Sequence, residues 1–241
     1  MMRIRRLVSE GLGSAMLLAI VVGSGIMAER LAGGNAAIAL LANSIATGAG
    51  LYALILIFGP ISGAHFNPVV TLSKAWQGNL PVRDVLPYIA AQLAGALAGV
   101  VLAHAMFNEA LIQTSTHVRT GAGQWLSECV AALGLVSVII SCSRSRPGVT
   151  PFAVAAYITA AYWFTASTAF ANPAVTLARA VTDTFSGIRP ADVPGFVIAQ
   201  LLGAVGGTAL FCWLYPDLHR NAELAGPAAA SDFSHQPTTE P

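Results

Sequence analysis

Charge is scarce in this chain: Lys and Arg number 12 and Asp and Glu 11 among 241 residues, while 55% of the residues are hydrophobic. Soluble domains carry roughly a quarter charged residues, so the composition excludes an ordinary water-exposed fold. A formal net charge of +1 removes the electrostatic reason to expect nucleic acid as a partner. Cysteine is also rare. Cys129, Cys142 and Cys212 stand at unrelated spacings inside apolar runs, so neither a disulfide nor a zinc site is expected. No nucleophile, base or metal-ligand cluster converges anywhere, which leaves catalysis without a candidate centre and implies no metal and no cofactor.

Uninterrupted apolar sequence is what the chain has in abundance. The stretches 11–27, 36–58, 85–107, 129–143, 150–170 and 193–215 are almost free of charge. Helices rise about 1.5 Å per residue and a hydrocarbon core is about 30 Å thick, so each stretch reads as a membrane-spanning helix. Arg3, Arg5 and Arg6 ahead of the first run look like the start of a signal peptide. Glu10 interrupts that run and no clear cleavage site follows, so it is read as the first helix. The basic residues orient the chain. With both termini in the cytoplasm, the inner side collects Arg3, Arg5, Arg6, Lys74, Arg83, Arg144, Arg146 and Arg220, while Arg30, Arg119, Arg179 and Arg189 lie outside. Residues 216–241, rich in Ala, Pro, Ser and Thr, are expected to form a disordered cytoplasmic tail.

The chain is also written twice. HFNPVVTLSKA (65–75) returns as FANPAVTLARA (170–180), SEGLG as SECVA, and AQLAGALAGVVL (91–102) as AQLLGAVGGTAL (199–210). Three landmarks recurring in one order indicate an internal duplication. Each copy holds three spans, so the second enters the membrane from the opposite face, giving an inverted 3+3 repeat. The expected division is a short N-terminal segment 1–6, a first repeat 7–107, a connector 108–123, a second repeat 124–215, and the tail. Gly95 with Gly99 and Gly203 with Gly207 are expected as equivalent close-packing faces.

Asn-Pro is a strong helix start, since Asn caps the free N–H groups and Pro suits the first turn. The segments 67–77 and 172–183 allow about three turns each, or about 15 Å, half of a bilayer. Two half-helices entering from opposite faces would meet end to end at the midplane. Irregular backbone is tolerated there only inside protein or along a wet cavity. The meeting point would hold two Asn amides and two positive helix ends, a site that donates to neutral polar solutes and repels cations. Glu10 and Glu128, the carboxylates well inside spans, suit either a proton relay or support of loop N–H groups, and their one-per-repeat placement favours support. His65, Gln92 and Gln200 are read as further loop supports, and Tyr157, Tyr162, Trp163 and Phe164 as packing or lipid-facing residues. A secondary transporter remains the rival class, because inverted repeats and broken helices occur there too.

These motifs, SGAHFNPVVT, FANPAVT, the Glu10/Glu128 pair and the Gln92/Gln200 pair, resemble the aquaporin and aquaglyceroporin (major intrinsic protein) family over most of the chain. The resemblance implies an all-α membrane protein with six transmembrane helices and two half-helices. It implies a homotetramer in which each subunit has its own pore, set in lipid in a bacterial inner membrane. The pore motifs are Asn67, Pro68, Val69 and Asn172, Pro173, Ala174, with Val69 in the place where the family usually has Ala.

The resemblance also marks a departure. The family's second motif is normally followed by an arginine that lines the outer filter, and Val175 stands there instead. Arg179 falls one turn further on, where no replacement is expected, and Arg119 is a loop residue able to reach the vestibule. Family spacing places the remaining filter positions on Thr47, Ala160 and Ala169. A filter of Thr47, Ala160, Ala169 and Val175 would be wide and uncharged, passing water, glycerol and larger neutral solutes. Some bacterial members with altered filters are associated with arsenic handling, which implies arsenous acid and methylated arsenicals as solutes. A general glycerol, urea and water channel is the plainer alternative.

Overall fold

A computed structural model of the chain describes residues 2–215. Among these the regular elements are helices only. They are α1 (Met2–Leu31), α2 (Ala36–Ser62), α3 (Pro68–Trp76), α4 (Val82–Phe107), α5 (Ala122–Ser145), α6 (Thr150–Phe164), α7 (Pro173–Ala178) and α8 (Val193–Leu214), with short 3-10 turns beside α6, α7 and α8. Five of them, α1, α2, α4, α5 and α8, are long and apolar enough to cross a membrane. At 15 residues, α6 extends only about 22 Å.

Both repeats pack the same way. In the first, α1 lies against α4 at the two glycines predicted for close contact. A Cβ on Gly95 would sit 2.0 Å from the Gly11 carbonyl oxygen, and one on Gly99 would sit 2.1 Å from that of Ala15. In the second, a Cβ on Gly203 would sit 2.0 Å from the Cys129 oxygen and one on Gly207 would sit 2.7 Å from that of Leu133. Backbone therefore rests on backbone in α1/α4 and α5/α8, the contact that small residues permit in apolar surroundings. Many large apolar side chains face outward, Leu12, Ile45, Leu86, Leu126, Leu202 and Trp213 among them. An outer surface of this kind suits lipid rather than water.

The irregular segments differ from the sequence expectation in instructive ways. The run 150–170 is not one helix: α6 stops at Phe164, Thr165 is extended, and the chain then turns inward to Asn172. Absence of charge could not mark that boundary, because the loop is as apolar as the helix. Residues 2–6, expected as a segment ahead of the first span, form the first turns of α1, with Arg3 paired to Asp84 at 2.8 Å. The second half-helix, expected over 172–183, is α-helical only to Ala178 and continues as a 3-10 turn over Arg179–Val181. The tail 216–241 lies outside the described residues.

Candidate functional site

Helices α3 and α7 begin where the Asn-Pro pairs predict. The Asn67 side-chain oxygen accepts from the Val69 N–H at 3.0 Å, and that of Asn172 from the Ala174 N–H at 2.9 Å and the Val175 N–H at 3.3 Å. Each side-chain amide then crosses to the other repeat. Asn67 Nδ2 donates to the Ala171 carbonyl and Asn172 Nδ2 to the Phe66 carbonyl, both at 2.8 Å. An Asn amide has two N–H bonds, so one on each remains for a solute. Both asparagines line an elongated cavity inside the bundle, the conduit, whereas Pro68, Val69, Pro173 and Ala174 do not. Val69 is fully buried and packs with Val136, Ile140 and Ala204 on the far side of α3.

The loops ahead of the half-helices are bent through left-handed backbone, with φ of 49° at Ala64, 50° at Phe66, and 48° at both Ala169 and Ala171. Such a conformation costs of order 1–3 kcal/mol for a residue with a Cβ, and it persists only where other bonds impose it. The two buried glutamates supply them. Glu10 accepts from the N–H groups of His65 (3.0 Å) and Phe66 (2.8 Å), and Glu128 from those of Phe170 (2.9 Å) and Ala171 (2.8 Å). Gln92 donates to Glu10 and to the Thr71 hydroxyl, and Gln200 donates to Glu128 and to the Thr176 hydroxyl. Thr71 and Thr176 in turn donate to the carbonyls of Asn67 and Asn172. Each chain of bonds runs from a carboxylate in the first helix of a repeat to its Asn-Pro start. His65 has the same supporting place, its Nδ1 lying 3.1 Å from the Thr71 hydroxyl, and its ring also reaches the conduit.

Of the four positions expected at the outer constriction, Thr47, Ala169 and Val175 line the conduit. Ala160 does not. It is exposed on the outer face of α6, and the residues α6 turns inward are Thr150, Val154, Ile158 and Tyr162. Two residues along a helix is a rotation of about 200°, so a count wrong by two selects the opposite face. The irregular segment 165–171 makes counting back from Asn172 unreliable. Tyr162, expected to pack or face lipid, is therefore a wall of the conduit, and its hydroxyl lies 3.2 Å from that of Thr47. The four-residue spacing of Thr150, Val154, Ile158 and Tyr162 was the available signal. Trp163 and Phe164 do face outward.

The two arginines at the end of the conduit beyond Val175 differ in their surroundings. Arg119 is tied down by loop carbonyls, with Nε donating to Gly187 at 2.7 Å and the other nitrogens to Ser167 and Phe185, and it does not line the conduit. Burial lowers its pKa from the ordinary arginine value, an effect the nearby Glu128 opposes. Arg179, set aside on sequence grounds, does line the conduit, one helical turn beyond Val175. Its Nε donates to the Ser186 carbonyl, and its guanidinium carbon lies 3.4 Å from the centre of the Phe170 ring.

Comparison with known proteins agrees with this architecture. A family model described as Major intrinsic protein matches residues 1–157 and 149–235. The chain is 59% identical over 210 residues to "Aquaglyceroporin AqpS" of Rhizobium meliloti (strain 1021), covering 87% of this chain and 90% of that one. It is 34% identical to "Probable aquaporin AqpM" of Archaeoglobus fulgidus, covering 68% of this chain and 70% of the relative. Among solved structures, the X-ray structure of the aquaglyceroporin from Plasmodium falciparum aligns with a TM-score of 0.65 at 15% identity, over 92% of this chain and 99% of that one.

Proposed function

Because the chain belongs to the major intrinsic protein family, whose members are channels and not enzymes, we propose a specific solute range for it. It is a multi-pass membrane channel of aquaglyceroporin type for small neutral solutes such as glycerol and water. Beyond that, we read it as permeable to metalloid acids, arsenous acid first and methylated arsenicals next. The carrying observation is Val175 on the conduit wall, in a ring with Thr47, Tyr162 and Ala169 that holds no charged side chain. Arsenous acid is neutral at physiological pH and similar in size to glycerol, and within this ring it meets no charged side chain.

The same reading places the chain as a homotetramer in the inner membrane with both termini in the cytoplasm. The end carrying the Arg3–Asp84 pair, with Arg83 beside it, would be the inner side. The experiment is arsenous acid uptake into proteoliposomes, with glycerol and water as references, comparing wild type with Val175→Arg. Rapid entry that falls about tenfold or more with the arginine, while water flux changes less, is the expected outcome. Wild-type vesicles that pass glycerol but exclude arsenous acid would leave the plain glycerol and water channel as the correct reading.

A further inference from the structure

Lys74 and Arg179 hold the same place in the two repeats, at equal offsets from Asn67 and Asn172, and both line the conduit. One closes the first half-helix and the other follows the second, so they stand toward opposite mouths. Arg179 is only 3% exposed. It has no carboxylate within ion-pair distance among the described residues, and only its Nε hydrogen-bonds, to Ser186. Lys74 is half-buried and makes neither an ion pair nor a side-chain hydrogen bond among the described residues. Burying a cation without a counter-ion is costly. A side chain that merely filled space there would be better apolar. The Phe170 ring face and the Ser186 carbonyl offset part of that cost for Arg179 while leaving both of its terminal nitrogens unbonded.

We propose that Arg179 and Lys74 are the solute-binding residues of the two mouths, each donating to the oxygens of small polyols and oxyacids and turning back cations. Arg179 supplies, from one turn beyond Val175, a charged donor that the ring of Thr47, Tyr162, Ala169 and Val175 lacks. Between the mouths the conduit offers the two Asn amides, and no carboxylate among the described residues lines it. A passage with cationic donors at both ends accepts solutes rich in acceptor oxygens, neutral or singly negative, and disfavours ammonium-type ions before they reach the centre. The inference rests on the channel reading above and adds a ranking of solutes to it.

The test uses the full chain in proteoliposomes as wild type, Arg179→Leu, Arg179→Lys and Lys74→Met, with water flux counting the conducting channels. Methylammonium entry and the half-saturating glycerol concentration are both measured relative to water flux. Arg179→Leu should raise methylammonium entry and the half-saturating glycerol concentration, each about tenfold, through loss of a charged donor. Arg179→Lys should restore most of the cation exclusion, and Lys74→Met should change both readouts in the same direction. Arg179→Leu and Lys74→Met that conduct water normally and stay within twofold of wild type on both readouts would overturn the proposal. Should Arg179→Leu not assemble, Arg179→Gln removes the charge at similar length and decides by the same readouts. Wild-type vesicles that pass water but no glycerol would sink the solute range proposed above without touching this inference, since methylammonium alone then reads it.

Discussion

The hydroxyls of Thr47 and Tyr162 lie 3.2 Å apart, joining α2 to α6 across the outer part of the conduit. Both side chains are nearly fully buried, and both belong to the wall along which a solute passes. Tyr162 is the largest side chain in the ring with Thr47, Ala169 and Val175, so truncating it should widen the conduit there. Tyr162→Ala should raise glycerol flux relative to water flux severalfold, since selectivity by size follows the pore diameter. Stopped-flow shrinkage and reswelling of proteoliposomes reads the ratio. An unchanged ratio in a normally assembled variant would place the constriction elsewhere.

Glu10 and Glu128 divide a proton relay from a support by their response to neutralisation. Each accepts two loop N–H groups and a Gln side chain, and hydrogen bonds to a charged group are worth about 1.5–3 kcal/mol apiece. Glu128→Gln turns an amide N–H toward N–H groups that already need an acceptor. The expected result is a drop in thermal stability of several degrees or more in detergent, with glycerol flux per assembled channel still independent of an imposed pH gradient. A variant of normal stability whose flux had lost a coupling to protons would favour the transporter class.

The close helix contacts predict a contrast between glycines. Gly95→Ala and Gly203→Ala each drive a Cβ into a backbone oxygen that cannot rotate away, and overpacking of this kind costs about 1–3 kcal/mol. Gly123→Ala meets nothing within 4 Å in the first turn of α5, and should be neutral or gain up to about 1 kcal/mol in helix propensity. Thermal unfolding of the three variants side by side checks the order. Equal stability of Gly95→Ala and Gly123→Ala would mean that α1 and α4 are not in backbone contact.

A pH effect is expected on the outer surface. The backbone N–H and the hydroxyl of Thr116 both bind Asp183, at 2.7 and 2.9 Å, and hold its pKa below the ordinary aspartate value. A carboxylate lowered in the folded state adds stability that is complete above its unfolded pKa and fades as pH falls through the lowered one. The protection of the Thr116 amide, its exchange rate compared with the intrinsic rate at the same pH, should therefore be high at neutral pH and fall in acid. Asp183→Asn should exchange faster at neutral pH and lose the acid response. An acid response retained in that variant would assign it to another group.

Much of this architecture was legible because its signals are local or repeated. Asn followed by Pro can cap a helix wherever it stands, so α3 and α7 begin where the residues require. The paired Glu, Asn-Pro and Gln-x-x-Gly landmarks announced two copies of one unit before any contact was known. The C-terminal end of α6 was not legible, because Thr165 to Phe170 carries no more charge than the helix before it. That loop is apolar for a physical reason: its polar groups are backbone N–H bonds, and Glu128, distant in sequence, satisfies two of them.

Composition, duplication and the Asn-Pro caps thus determined a membrane-embedded inverted repeat with paired amides at its centre, since hydropathy and capping act within a few residues. Tertiary structure decided which side chains face the solute. Tyr162 rather than Ala160 came to the wall because α6 turns Thr150, Val154, Ile158 and Tyr162 inward, a rotation that counting back across the irregular segment before Asn172 does not reveal. Arg179 rather than Arg119 came to the conduit because Gly187, Ser167 and Phe185 offer their carbonyls to Arg119, while Phe170 lays its ring beneath Arg179. Those partners lie on separate segments, and only packing brings them together.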